Sequence, residues 1–168
     1  MNGYNSVSTP IEASTASNEL GEDSSLDKTL YRQVMGCLRY VCNTRPNIAY
    51  RVRLVSRYMD SLRKSNLLTA KMILRYVKGI VEHGLMLPSK ANSTNHSILG
   101  FSDADWCGDK SDRNSTTSYV FMLGSAPISW CSKKQDVVAL SSCEAKYIVA
   151  CMAACQAIWL EKLLGELS

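Results

Sequence analysis

Histidine is almost absent from this chain, with only His83 and His96 in 168 residues. Cysteine is plentiful at seven, yet no Cys-x-x-Cys pair occurs and neither histidine lies near a cysteine cluster. That argues against a zinc site, which needs several such ligands at short spacing. The cysteine count is odd, and the expectation is buried free thiols in a reducing compartment. An apolar leader is also missing, because Met1-Asn-Gly-Tyr-Asn-Ser-Val-Ser-Thr-Pro10 is polar from the first residue. Export by the usual signal-peptide route is therefore not indicated. An intracellular place is expected, with an unconventional secretion route left open. No tract is expected to be long enough to span a membrane, and no membrane partner is expected. Nor is there a large excess of one charge. A net charge of +4 and a pI near 8.7 are compatible with touching nucleic acid without requiring it.

What is present is globular. Hydrophobic residues make up 46% and charged residues 20%, enough for one domain or one and a half at this length. Residues 1–26 are rich in Ser, Thr, Asn and Glu without periodicity and read as an irregular lead-in. Residues 27–95 read as helical. The first helix starts after Ser24 or Ser25, with Leu30, Val34, Leu38 and Val41 at helical spacing. It ends at Asn43-Thr44-Arg45-Pro46, since the residue before a proline leaves the α region. A second helix follows from Pro46 with the stripe Ile48, Val52, Val55 and Met59. A third begins after Ser65 as N-cap and ends at Gly79, with Leu67, Ala70, Ile73, Leu74 and Val77 inward. Arg51, Arg53, Arg57, Lys71, Arg75 and Lys78 lie on the outer faces of the second and third helices. The three helices carry most of the basic excess, which could follow a phosphate backbone or be an ordinary solvated surface.

Leu85-Met86-Leu87, Pro88 and a polar stretch to Asn95 mark an internal boundary. Residues 96–168 then switch to strand periodicity. Ile98-Leu99-Gly100-Phe101 reads as a buried strand running on to Asp103. A charged turn at Asp109 to Arg113, a strand Thr117–Leu123, a Gly124-Ser125 hairpin turn and a strand Ala126–Cys131 make a three-stranded antiparallel meander. Ser132 to Asp136 reads as a turn, and Val137 to Leu140 as a short extended piece. One long helix follows from Ser142. Ser141-x-x-Glu144 is a capping box. Tyr147, Cys151, Ala154 and Ile158 form one helix face, and small residues such as Ala145, Ala153 and Ala157 suit close approach to a sheet.

The chemistry-bearing stretch is Phe101-Ser-Asp-Ala-Asp-Trp-Cys-Gly-Asp109, with carboxylates at Asp103, Asp105 and Asp109. It can be a plain acidic turn. It can also be one arm of a metal-carboxylate site, because two-metal phosphodiester hydrolysis needs carboxylates converging from separate elements.

Long stretches carry a resemblance. Phe101 to Gly124 is one. Ile128-Ser-Trp-Cys-Ser-Lys-Lys-Gln135 and Val138-Ala-Leu-Ser-Ser-Cys-Glu-Ala-Lys-Tyr147 are others. Tyr31-Arg-Gln-Val-Met-Gly36, Thr44-Arg-Pro-Asn-Ile-Ala49 and Ala70-Lys-Met-Ile-Leu-Arg-Tyr-Val-Lys-Gly79 extend it, with Val7-Ser-Thr-Pro10 ahead of them. Together these resemble Ty1/copia-type retrotransposon Pol polyproteins over nearly the whole chain. The resemblance implies a mixed α+β or α/β chain: a helical reverse-transcriptase tail followed by a truncated RNase H-like domain. It implies an ancestral activity, cleavage of the RNA strand of RNA–DNA hybrids with Mg²⁺ or Mn²⁺.

Residue by residue, Asp103 matches the first catalytic, metal-binding aspartate, and Asp105 is a candidate supporting ligand. The second catalytic carboxylate stands in a Glu-Ala-Glu-Tyr phrase, where this chain reads Glu144-Ala145-Lys146-Tyr147. If the metal-binding glutamate is the second, it is Lys146 here and lost; if it is the first, Glu144 serves. The third aspartate would lie beyond Ser168 and the polymerase aspartates upstream of Met1. The resemblance therefore implies an incomplete catalytic set, more in keeping with a non-enzyme, and no tightly bound metal. It leaves an open sheet edge suited to self-association or a partner strand, and predicts low stability for the isolated chain. The alternative function is a co-opted non-enzymatic protein that binds nucleic acid, interacts with a partner or serves as an effector.

Overall fold

The computed structural model describes residues 5–10, 27–87, 97–109 and 112–167. Most of the expected lead-in, the stretch after Leu87 and the middle of the 109–113 turn lie outside the described residues. The described residues form a mixed α+β arrangement in two compact units, one within 1–84 and one within 85–168.

The first unit holds α1 (Lys28–Val41), α2 (Pro46–Ser56) and α3 (Lys64–Gly79). Asp27, not Ser24 or Ser25, caps α1, because its carboxylate accepts the N–H groups of Thr29 and Leu30 at 2.9 and 3.0 Å. Helix α3 starts at Lys64, one residue before the expected Ser65 cap. The Arg63 carbonyl already accepts from Asn66 and Leu67 there. The apolar stripes meet in one core of Tyr31, Met35, Leu38, Ile48, Val52, Val55, Leu62, Ala70 and Ile73. Helical spacing of these residues makes each helix one-sided, and burying the three stripes together removes them from water. The buried Tyr31 hydroxyl is satisfied by donating to the Val55 carbonyl at 2.9 Å. Residues 5–10 are irregular, and the Asn5 carbonyl accepts from Arg75 Nε at 2.7 Å.

The second unit holds β1 (Ile98–Asp105), β2 (Thr116–Leu123), β3 (Ala126–Lys134) and α4 (Ser142–Leu167), with strand order β1-β2-β3, all antiparallel. Strand β3 runs three residues past the expected Cys131, because Ser132, Lys133 and Lys134 pair with Ser118, Thr117 and Thr116. Residues 137–140 are not a strand. The apolar run in β1 is not buried as expected: Leu99 is 55% and Phe101 56% exposed. Among the described residues β1 is an edge strand, bonded only to β2.

Helix α4 buries Ala145, Val149 and Leu160, while Tyr147 and Ile158 face outward. A Cβ on Gly100 would meet the Phe121 ring at 2.6 Å, and a groove of about 230 Å³ joins Gly100, Ser102 and Phe121 to Ala153, Ala154 and Ala157. Small residues on both sides let helix and strand approach. By length and composition alone α4 is long and apolar enough to cross a membrane, which corrects the expectation that no tract is. Its uncharged stretch, residues 147–160, has the length of a core helix, which is why the sequence pattern did not flag it. The cysteines are corrected too. Cys37, Cys143, Cys151 and Cys155 are exposed, and none of the seven is fully buried.

Candidate functional site

Strand alternation sorts the carboxylates of β1. Gly100 and Ser102 share the face that carries Phe121 and α4, whereas strand alternation puts Asp103 on the opposite face, where Ser118 is its cross-strand partner. Asp103 is exposed. Asp105 shares its parity but is half-buried and already occupied. One carboxylate oxygen accepts the Thr116 N–H, and the other lies against the Cα of Gly108. A side chain at residue 108 would collide with that oxygen, so Gly108 lets the turn close over Asp105. Cys107 takes a left-handed φ of 54° in the same turn, and its N–H donates to Ser115 Oγ at 3.2 Å.

Asp109, 6% exposed, belongs to a clasp instead of a solvated turn. Lys134 Nζ donates to Asp109 Oδ2 at 2.8 Å and also to Asp112. The Lys134 bond holds the Asp112 carboxyl below the usual carboxylate range. Burial works against the Lys134 charge, but its bonds to the two aspartates outweigh that and raise its pKa. The sign for Asp112 follows from linkage. A depressed carboxyl contributes stability above its unfolded value, near 4, and loses it as pH falls through the folded value. Thermal melts between about pH 5 and pH 2 should therefore drop more steeply for the native chain than for Asp112→Asn. Equal slopes would mean that the clasp adds nothing.

At the helix start the capping box forms. The Glu144 N–H donates to Ser141 Oγ at 3.1 Å, and Glu144 Oε2 accepts the Leu140 N–H at 2.6 Å. Lys146 is exposed, one residue past the buried Ala145. Sequence reasoning gave no role to Gln135, which ties the unit together. Buried between β3 and α4, it donates through Nε2 to Thr117 Oγ1 at 3.2 Å and to the Ala145 carbonyl at 3.0 Å. Its position in the Ser-Lys-Lys-Gln phrase was the only available signal. Likewise nothing local announced Lys134 as a partner for two aspartates in the preceding turn. Among the described residues no group of three or more His, Cys, Asp or Glu is gathered as a metal site. The groove between β1 and α4 is lined by Ser102 and not by Asp103, so it does not mark the carboxylates.

The basic residues belong to the first unit. Residues 27–84 hold twelve Lys or Arg against three Asp or Glu, a net +9, whereas residues 85–168 hold seven against eight, a net −1. Arg53, Lys71 and Lys78 are exposed; Arg51, Arg57 and Arg75 are half-buried. The Arg51 guanidinium lies 5.3 Å from the Tyr50 ring centroid. Arg39 and Arg53 act on the Cys42 thiol, whose pKa burial nevertheless pushes up.

The matching proteins include long polyproteins and shorter chains. The Pol polyprotein of transposon RE1 from Arabidopsis thaliana is 40% identical over 96% of this chain. That of transposon RE2 from the same plant is 38% identical over 96%. The chain belongs to the copia-type retrotransposon Pol family. It spans about a tenth of these polyproteins, 11% of each. A relative of comparable length, the secreted RxLR effector protein 161 of Plasmopara viticola, is 36% identical over 77% of this chain and 90% of its own length. No family model and no solved structure matches the chain.

Proposed function

We propose that this copia-type Pol segment is a reverse-transcriptase tail joined to an RNase H-like segment that binds nucleic acid without cutting it. The observation that carries this reading is the engagement of its carboxylates. Hydrolysis with two cations needs several carboxylates free to converge. Here Asp105 accepts the Thr116 N–H, Glu144 accepts the Leu140 N–H, and Asp103 follows the opposite sheet face from α4. If the metal-binding glutamate is the second of its phrase, Lys146 stands in its place, and its ammonium would repel a cation. The residues present therefore fit a divalent metal poorly. Binding rests on the net +9 of the helical unit, with Arg51, Arg53, Arg57, Lys71, Arg75 and Lys78 toward the phosphates.

The test is an RNA–DNA hybrid incubated with Mg²⁺ or Mn²⁺, reading cleavage and retention together. The native chain should retain the hybrid and leave it intact, with Asp103→Asn indistinguishable from it. Lys71→Glu should weaken retention and flatten its salt dependence. Metal-dependent cutting that Asp103→Asn abolishes would sink the non-catalytic half of the proposal. Retention that is indifferent to salt would sink the other half.

A second reading is favoured by the match to the short Plasmopara viticola chain, whose name describes a secreted effector. Under that reading the chain is a co-opted interaction protein. A short reading frame kept intact, with its own promoter, favours reuse; a surrounding Pol frame broken by stops favours decay.

A further inference from the structure

Helix α4 carries three sulfur atoms within a short stretch, at Cys151, Met152 and Cys155. Cys151 and Cys155 are exposed free thiols. They stand four residues apart, so they are neighbours on one face, turned away from the buried Val149 and Leu160. Met152 is half-buried and lies three residues before Cys155, which brings its thioether to the edge of the same face. The two thiols cannot close on each other. Helical neighbours at this spacing hold their Cβ atoms about 5–6 Å apart, whereas a disulfide needs about 3.5–4.5 Å. The same separation suits a bridging ion. Metal–thiolate bonds of about 2.3 Å set two sulfurs on opposite sides of one ion about 4.6 Å apart, within reach from those Cβ positions. The surroundings choose the kind of ion. Residues 147–160 hold no charged side chain and no histidine, and the neighbours one turn away are Tyr147, Ile148, Ile158 and Trp159. That stretch offers no carboxylate or imidazole to complete the four-ligand set of zinc. Two thiolates and a thioether are instead a soft donor set, the kind that selects Cu(I).

We propose that Cys151 and Cys155 form a Cu(I) site on the outer face of α4, with Met152 as a third donor. Both thiols lose their protons as two copper–sulfur bonds form, and copper stays in the +1 state. Each ion bound therefore releases two protons to water and needs no oxidant or reductant. The bound pair carries one net negative charge, which water solvates because both sulfurs are on exposed residues. The helix supplies the preorganisation. It is continuous from Ser142 to Leu167 and holds both thiols at one spacing before the ion arrives. Two-point binding then exceeds that of either thiol alone by about 10²–10⁴. This soft site is separate from the carboxylates of β1 and from the hard divalent ions that oxygen ligands suit.

Anaerobic titration of the reduced full chain with Cu(I), added as its acetonitrile complex against a chromogenic Cu(I) chelator, tests this. The native chain should withhold one Cu(I) per chain at chelator levels that strip single thiols, and release two protons into weakly buffered solution. Cys151→Ser and Cys155→Ser, at exposed positions, should each weaken retention by at least about a hundredfold with unchanged far-UV circular dichroism. Cys37→Ser and Cys143→Ser, at exposed thiols outside the pair, should leave retention as it was. Met152→Leu should weaken it by a smaller factor. A native chain that surrenders all its Cu(I) to the chelator overturns the proposal. So does retention that survives Cys151→Ser or Cys155→Ser, or a loss that Cys143→Ser reproduces. Zn(II) held as tightly as Cu(I) would mean that ligands from outside the pair make the site, and would equally overturn it. Retention unaffected by Met152→Leu overturns the part given to the thioether.

Discussion

Replacing Ile73 by alanine is expected to destabilise the helical unit by about 2–5 kcal/mol, the range for removing a large aliphatic side chain from a packed interior. Ile73 has no exposed surface and lies in the cluster formed by all three helices. The deleted atoms lose their burial, and the rest of the cluster cannot fully collapse into the space. A core of nine buried residues has little reserve, so this loss is a large fraction of what a small unit has. Urea unfolding followed by far-UV circular dichroism should show helical signal lost at lower urea. An unchanged midpoint would mean that the three helices do not share one core.

Gln135→Ala is the second large effect, expected at about 1–3 kcal/mol in the sheet-bearing unit. The variant removes the donor that serves both Thr117 Oγ1 and the Ala145 carbonyl, at a residue only 4% exposed. It thereby cuts a side-chain link between β2, the end of β3 and the first turn of α4. The readout is favourable, because Trp106, Trp130 and Trp159 all belong to residues 85–168. Tryptophan fluorescence should report an earlier urea transition. Gln135→Glu offers a check on the cause: it keeps the size but loses the Nε2 donor, so it should be at least as destabilising as Gln135→Ala. A mild Gln135→Glu would mean that packing, not hydrogen bonding, makes Gln135 matter.

These two positions also mark the line between what was legible and what was not. Ile73 was visible in the sequence, because Leu67, Ala70, Ile73, Leu74 and Val77 repeat at helical spacing and a one-sided helix must cover that side. The Ser141–Glu144 capping box was visible for a similar reason: both partners lie within one turn and meet through local backbone geometry. Gln135 was not visible, since its partners are eighteen and ten residues away and nothing in its neighbourhood requires them. The candidate site divides in the same way. Asp103, Asp105 and Glu144 stood out as residue types in a suggestive order. That Asp105 closes a turn over Gly108, and that Asp103 follows the sheet face away from α4, depends on cross-strand register.

By itself, then, the sequence determined the kinds of elements, their order, the basic character of the helical half and membership of the copia-type Pol family. Each of these is written in composition, short-range periodicity or shared phrases. The tertiary structure alone decided that β1 is an exposed edge, that Lys134 clasps Asp109 and Asp112, and that α4 turns Ala145 and Val149 to the sheet while Tyr147 and Ile158 face outward. The physical reason is that an apolar residue states a preference for burial but does not name its neighbour. On a helix apolar around its whole circumference, only contact with the sheet chooses which side is covered.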